Sequence, residues 1–112
     1  MSGDKKEIGP GGYDRLSREE AEVITAALES GRRWCRRGRV GYAIEHSGDG
    51  FRVVTLDEDR EEAFIIGERE RFIEWLCGLD VSIRGYANSW SYLRMDFGIE
   101  SLEEWTRKKD CG

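Results

Sequence analysis

The residues best suited to chemistry by type and spacing form a run of five arginines within eight positions. A tryptophan lies inside this run, and Tyr42 follows it. Basic residues interleaved with aromatic residues can bind phosphates and stack on bases, so one interpretation is a nucleic-acid face. The residues of this arginine cluster are Arg32, Arg33, Trp34, Arg36, Arg37 and Arg39.

In a second interpretation, the arginines of the cluster form pairs with acidic residues of the same protein. The Ser-Gly-Asp-Gly segment at 47–50 predicts a hairpin with a two-residue turn. Extended backwards, this register places Arg39 opposite Glu58 and Arg36 opposite Glu61. Opposite charges that face each other across two strands stabilise a sheet by about 0.2–1 kcal/mol per pair. Such pairing would also neutralise the positive charge of a phosphate-binding surface. A third interpretation leaves the arginines facing a protein partner.

The segment after the second predicted strand has five carboxylates in six positions. Paired carboxylates can act as general acid and base, but this requires a pocket that shifts their pKa values. The tip of a hairpin is not such a pocket. The acidic turn is therefore interpreted either as a solvated loop or as an electrostatic docking surface for a basic protein. Its residues are Asp57, Glu58, Asp59, Glu61 and Glu62.

The remaining chemically versatile side chains do not form a catalytic or metal-binding pattern. His46 is the single histidine, and no serine, cysteine or acid pattern identifies a triad around it. Cys35, Cys77 and Cys111 are widely spaced and contain no Cys-x-x-Cys pair, which argues against structural zinc. We predict a reduced protein, with a Cys35–Cys77 disulfide as the alternative. We also predict no catalytic residue, no metal and no cofactor, and hence no enzyme.

An aromatic segment near the carboxyl end could contact a partner. It runs from Tyr86 to Phe97 and is rich in tryptophan and tyrosine, which are common hot-spot residues at protein interfaces. Leu93 and Phe97 are predicted to pack in the core. Trp90 and Tyr92 are predicted to be exposed to a partner.

The elements that must position these residues are organised around Phe64–Leu79, the densest apolar stretch. It predicts a short buried strand, a break at Gly67 and an amphipathic helix. Capping-box patterns begin a helix at Ser17 and another at Ser101, because each serine is followed three residues later by glutamate. The predicted helices are 18–30, 68–79 and 102–109, and the predicted strands are 40–45, 51–56 and 63–66.

These elements predict an α+β fold with a three- to four-stranded antiparallel meander and two or three helices packed largely on one face. The chain has 112 residues, which suits one domain. We assign residues 1–12 to a flexible tail, 13–109 to the domain and 110–112 to a frayed end. The fourth strand could come from Val81–Gly85.

Charge and composition narrow the class of partner. Hydrophobic residues make up 38% and charged residues 37% of the chain, whose net charge is −5. The excess of acid lies in residues 47–112, with fifteen acidic and nine basic residues. This balance makes nucleic acid an unlikely partner and favours a basic protein. The sequence contains neither a signal peptide nor an apolar run of membrane-spanning length, so we predict a cytoplasmic location.

Part of the sequence resembles small bacterial immunity proteins, which neutralise toxins of polymorphic and contact-dependent systems. The similar stretches are Ala63–Leu76, a strand entering a helix with Phe and Trp-Leu, and Asp80–Gly85. The resemblance covers about residues 39–85. It implies a non-enzymatic cytosolic inhibitor that binds a cognate toxin tightly and occludes it. Such a toxin domain would be basic in many cases, which agrees with the acidic balance of this chain.

Overall fold

A computed structural model describes residues 14–38, 40–57, 60–83 and 88–111. Within these ranges, four antiparallel strands follow one another across a single sheet in sequence order, and helices complete an α+β fold. The predicted fold class is confirmed. The elements are α1 (Arg18–Glu29), β1 (Trp34–Arg36), β2 (Val40–Ser47), β3 (Gly50–Asp57), β4 (Arg60–Ile66), α2 (Arg69–Cys77), a 3₁₀ helix (Ser89–Tyr92), α3 (Leu93–Asp96) and α4 (Leu102–Cys111).

The β2–β3 hairpin has the predicted register. Ser47 lies opposite Gly50, so the turn contains the two residues between them. Gly50 has a φ of 124°. A Cβ at this position would come within 2.5 Å of the carbonyl oxygen of Ile66 in β4. A glycine is therefore required both by the backbone conformation and by the close approach of the neighbouring strand.

β1 is the fourth strand, and it corrects the predicted pairing of the arginine cluster. The chain reverses after β1, so Arg36 lies opposite Tyr42, and Glu61 lies opposite Leu56 instead. The predicted pairing of Arg36 with Glu61 is wrong. Gly41 permits the reversal, because a Cβ there would lie 2.8 Å from the carbonyl oxygen of Arg36. Arg37 lies in this reversal, and Arg60 lies opposite Asp57.

The predicted pair Arg39–Glu58 lies outside the described residues. The alternative fourth strand at Val81–Gly85 is also not formed where it is described, since 81–83 are neither helix nor strand. Cys35 and Cys77 are free thiols, which excludes the alternative disulfide in this structure. Burial raises the pKa of the Cys77 thiol above its ordinary value.

Both predicted capping boxes are confirmed. The Ser17 hydroxyl accepts from the backbone N–H of Glu20 at 3.1 Å, and the Glu20 carboxylate accepts from the N–H of Ser17 at 2.9 Å. Ser101 and Glu104 make the same reciprocal pair at the start of α4, with both distances 3.0 Å. Each box satisfies two backbone donors that no helical carbonyl can reach.

The core lies between one face of the sheet, called the helix face, and the helices α1 and α2. Residues of a strand alternate between faces, and the buried side chains of Ile44, Phe51 and Val53 project from this same side. Phe51 of β3 and Phe72 of α2 stack with a centroid distance of 4.0 Å. The residues with 2% exposure or less include Ile24, Leu28, Ile44, Phe51, Val53, Phe72, Ile73, Leu76 and Leu93.

β4 is an exposed edge strand, and its predicted burial is wrong. Phe64 is 44% and Ile65 53% exposed, and only Ile66 is half-buried. Among the described residues, β4 has a neighbouring strand on one side only, and the core is centred on β2 and β3. The apolar run therefore identifies a strand correctly but not its place in the sheet. The amphipathic helix predicted for the second half of Phe64–Leu79 is confirmed, because Phe72, Ile73 and Leu76 are fully buried.

Arg94 of α3 connects the carboxyl-terminal part of the fold to the start of α1. Its guanidinium lies 2.6 Å from the Asp14 carboxylate and 3.0 Å from that of Glu20, and its side chain is only 13% exposed. Burial alone would lower the pKa of Arg94, but the hydrogen bonds to Asp14 and Glu20 outweigh it and raise the pKa well above its ordinary value. No helix within the described ranges is long and apolar enough to cross a membrane.

Candidate protein-binding site

One end of the helix face brings the acidic turn and the aromatic segment together. A row of directly paired residues crosses all four strands there, from Arg36 through Tyr42 and Thr55 to Glu62. Adjacent strands are about 4.8 Å apart, so the Glu62 backbone lies about 10 Å from that of Tyr42. Asp57, two residues beyond Thr55 on the same face, adds a second carboxylate to this end of the sheet.

A cleft of 660 Å³ lies beside this row. Its base is the start of β2, and its walls are the 3₁₀ helix and the segment that follows α2. Its volume is within the range of about 300–1,000 Å³ that is typical of ligand-binding pockets. The lining residues include Arg36, Arg37, Val40, Tyr42, Leu79, Asp80, Asn88, Trp90 and Tyr92.

Trp90 is the central aromatic residue of the cleft and is half-buried. Its ring stacks on Tyr42 at 3.9 Å and on Trp34 at 5.5 Å, and the edge contact with Trp75 is 5.6 Å. These contacts restrain the ring before any partner binds. The predicted partner contact at Trp90 is thus a partly accessible member of an aromatic cluster rather than a freely exposed side chain.

Tyr92, at the end of the same 3₁₀ helix, is also half-buried and held in place at the cleft. The Arg36 guanidinium lies 4.0 Å from the centre of its ring, and Trp105 stacks on it at 4.8 Å. The indole N–H of Trp105 donates to the carbonyl of Ser91 at 2.9 Å. Leu93 and Phe97, which flank this region, are buried in the core as predicted.

Asp96 binds several residues of the arginine cluster within the protein. Its carboxylate accepts from the indole N–H of Trp34 at 2.8 Å and from two nitrogens of Arg36 at 2.6 and 2.8 Å. The hydrogen bond to Asp96 is the main reason that the pKa of Arg36 lies above its ordinary value. Arg32 donates to the carbonyl of Asp96, and its guanidinium lies 4.6 Å from the Phe97 ring centre.

Removing the carboxylate of Asp96 is expected to destabilise the fold. Asp96→Ala should lower the free energy of unfolding by about 2–3 kcal/mol, because Trp34 and Arg36 lose their acceptor in a half-buried site. Asp96→Asn should cost about 1 kcal/mol less, since the amide oxygen can still accept from Trp34. Urea denaturation measures both changes. Equal costs for the two variants would contradict the role of the Trp34 hydrogen bond.

The arginine cluster does not form one continuous basic face. Trp34 is 4% exposed, so its ring is not available for stacking on a base. Arg33 lies on the opposite face of the sheet, 3.4 Å from Glu45. Arg37 is exposed at the cleft and makes no ion pair with any described residue. Arg39, the remaining member of the predicted nucleic-acid face, lies outside the described residues.

The described carboxylates of the acidic turn are exposed on two different faces. Asp57 and Glu62 share the helix face with the cleft, and we call this pair the acidic rim. Glu61 lies on the opposite face, across from Leu56. None of the three forms an ion pair with a described residue. Glu58 and Asp59, which were predicted to complete the docking surface, lie outside the described residues.

Asp80 adds a carboxylate to the cleft that sequence reasoning did not select. Burial alone would raise the pKa of Asp80, but the hydrogen bonds from Ser82 and from the Asp14 backbone outweigh it and hold the pKa below its ordinary value. The carboxylate is therefore ionised at neutral pH. A single aspartate after a helix carries no sequence signal that would mark it as a site residue. Tyr42 did carry a sequence signal, because the alternation of side chains along β2 places it on the same face of the sheet as Ile44.

The arrangement is suited to noncovalent recognition, because the lining of the cleft combines aromatic rings with the Asp80 carboxylate and the guanidiniums of Arg36 and Arg37. His46 is exposed near the other end of β2, where its ring packs against Phe51 at 4.7 Å. It is a surface residue near the end of its strand and lies apart from the cleft.

Comparisons of the chain with protein-family models, with curated proteins and with solved structures found no match. The cleft, the acidic rim and the resemblance noted in the sequence are therefore the basis for a functional proposal.

Proposed function

We propose that this protein is a non-enzymatic inhibitor that binds a basic protein partner, and that it serves as a cytoplasmic bacterial immunity protein for a cognate toxin. One observation carries the proposal: restrained aromatic rings line a cleft at one end of the helix face, and Asp57 and Glu62, which form no ion pair with a described residue, lie on that same face. Interfaces typically place such rigid aromatic residues at the centre and charged residues around them. The resemblance to immunity proteins supports the biological role.

The proposed mechanism is occlusion of the partner's functional surface. The acidic rim and the net negative charge of residues 47–112 accelerate the approach of a basic domain. A lysine or arginine of the partner then enters the cleft, where Asp80 matches its charge and its apolar stem packs against the accessible part of the Trp90 and Tyr42 rings. Because the rings are already packed, little side-chain entropy is lost on binding.

The role as an immunity protein is tested with the product of the adjacent gene. That product should be toxic when expressed alone in a bacterial host, and co-expression of this protein should restore growth. The two purified proteins should also bind directly in a calorimetric titration. A neighbouring product that is neither toxic nor bound would contradict the proposal.

The side of the sheet used for binding is tested by two adjacent and chemically identical substitutions. Glu62→Lys should slow association with the basic partner about tenfold, because it reverses a charge of the acidic rim. Glu61→Lys makes the same change on the opposite face and should slow association about twofold through the long-range field alone. Stopped-flow measurements at low salt compare the two rates. Equal effects would show that the helix face is not the docking surface.

A further inference from the structure

β4 presents a free edge that is chemically suited to strand addition. The strand order in the described part of the chain is β1-β2-β3-β4, so one side of β4 has no neighbouring strand. The strand has seven residues and is thus about 24 Å long. Natural edge strands are usually protected by shortness, proline or charged residues, especially lysine; β4 has neither lysine nor proline, and its charged residues are confined to Arg60–Glu62.

The exposed side chains of β4 are apolar at one end and charged at the other. Phe64 and Ile65 are two of the four large hydrophobic residues that are exposed among the described residues, and they are adjacent. Arg60 begins the strand, is exposed and makes no ion pair with a described residue. An edge of this composition can pair with a strand that offers apolar side chains and a carboxylate at matching positions.

We propose that a second copy of this chain pairs with β4 in antiparallel orientation, with the two-fold axis passing through Phe64. The two sheets then form one continuous eight-stranded sheet. In this register Phe64 lies opposite its own copy, and Ala63 lies opposite the partner's Ile65. Arg60 lies opposite the partner's Glu68, and the symmetry repeats this opposite-charge pair at the other end. The proposal does not depend on the function proposed above.

Charge selects this register over the neighbouring ones. A two-fold axis perpendicular to the sheet keeps each residue on its own face, so alternative registers differ by a shift of two residues. An axis at Ile65 places Glu62 opposite Glu68, and an axis at Glu62 places that residue opposite itself; both are repulsive. An axis at Ala63 creates no ion pair. Only the axis at Phe64 joins opposite charges without opposing like charges.

The local structure leaves both members of the proposed ion pair accessible. Glu68 lies two residues after β4, and its own backbone is extended, with φ of −99° and ψ of 133°, before the chain bends into α2. Its side chain is 74% exposed and contacts Arg71 at 2.9 Å, an arrangement that allows a second cation to approach. Phe64 contacts the edge of Trp75 at 5.7 Å, which holds the aromatic ring at the proposed axis.

Sedimentation velocity over a range of protein concentrations tests the proposal. The wild-type protein should change from monomer to dimer with a Kd of about 10–100 µM, as expected for a small interface. Arg60→Glu and Glu68→Arg should each weaken dimerisation about tenfold, because each places like charges opposite each other at both ends. Glu103→Arg makes the same change as Glu68→Arg on the exposed start of α4 and should leave dimerisation unchanged.

A mixture of the two charge variants provides the decisive comparison. When one protomer carries Arg60→Glu and its partner carries Glu68→Arg, opposite charges meet again at both ends of the interface. An equal mixture should therefore dimerise about as well as the wild type, and the double variant should do so alone. Circular dichroism confirms that each variant is folded. A wild type that remains monomeric at about 1 mM, unchanged dimerisation of the charge variants, or failure of the mixture to recover would overturn the proposal.

Discussion

Phe72→Ala is expected to lower the free energy of unfolding by about 3–5 kcal/mol, the largest stability loss predicted for this fold. Phe72 is fully buried and stacks on Phe51 with an interplanar angle of 4°. It also contacts Trp75 at 5.7 Å, so its ring joins α2 both to the sheet and to the aromatic cluster. Alanine leaves a cavity that these large rings cannot fill. Urea denaturation followed by circular dichroism measures the loss.

Phe64→Ala is the matched control for this prediction. It removes the same atoms from a residue that is 44% exposed at the sheet edge, so we expect a cost of about 1 kcal/mol. Phe72→Leu should fall between the two, because most of the cavity remains filled. Similar costs for Phe72→Ala and Phe64→Ala would contradict the assignment of the core to the helix face.

Arg94→Met is expected to cost about 2–4 kcal/mol, the second largest effect. The substitution keeps much of the side-chain volume but leaves the carboxylates of Asp14 and Glu20 without their cation. It also removes the donor to the carbonyl of Arg15 at 2.8 Å. Arg18→Met is the control, because the Arg18–Glu70 pair is exposed to solvent and should contribute little to stability. Equal losses for the two variants would contradict a special role for Arg94.

The Arg94→Met substitution should also change how stability depends on pH. Burial alone would raise the pKa of Glu20, but hydrogen bonds from Arg94 and Ser17 lower it below the ordinary 4.5. A depressed pKa adds stability above pH 4.5, and this stability is lost as the pH falls through the folded-state value. The wild type should therefore lose stability below pH 4.5 more steeply than Arg94→Met. Parallel curves for the two proteins would contradict this linkage.

Local sequence signals predicted those parts of the fold that depend on neighbouring residues. The capping boxes at Ser17 and Ser101, the hairpin at 47–50 and the buried face of α2 all arise from contacts or patterns within a few positions. β1 was missed because it has only three residues and lies inside the arginine cluster. The exposure of β4 was missed because an apolar run indicates a strand but not whether another element covers it.

The candidate site could be predicted only in part, because its geometry depends on contacts between distant segments. Trp90 was selected from its residue type, and the cleft confirms only its position beside other aromatic rings. Asp96 lies 60 residues from Arg36, and nothing in either local sequence indicates their ion pair. The acidic turn was recognised as charged, but only the register of β4 separates Glu62 from Glu61 by face. Tertiary packing thus decides which charged residues can act together.

Hydrogen exchange of the protein, alone and with the adjacent gene's product, tests the proposed binding site most directly. Binding at the cleft should slow amide exchange in three segments that are distant in sequence: the start of β2, the β3–β4 end near Asp57, and the 3₁₀ helix at Ser89–Tyr92. Exchange at the opposite end of the sheet, around Ser47–Gly50, should remain unchanged. Protection confined to that opposite end, or no protection in any segment, would contradict the proposed site.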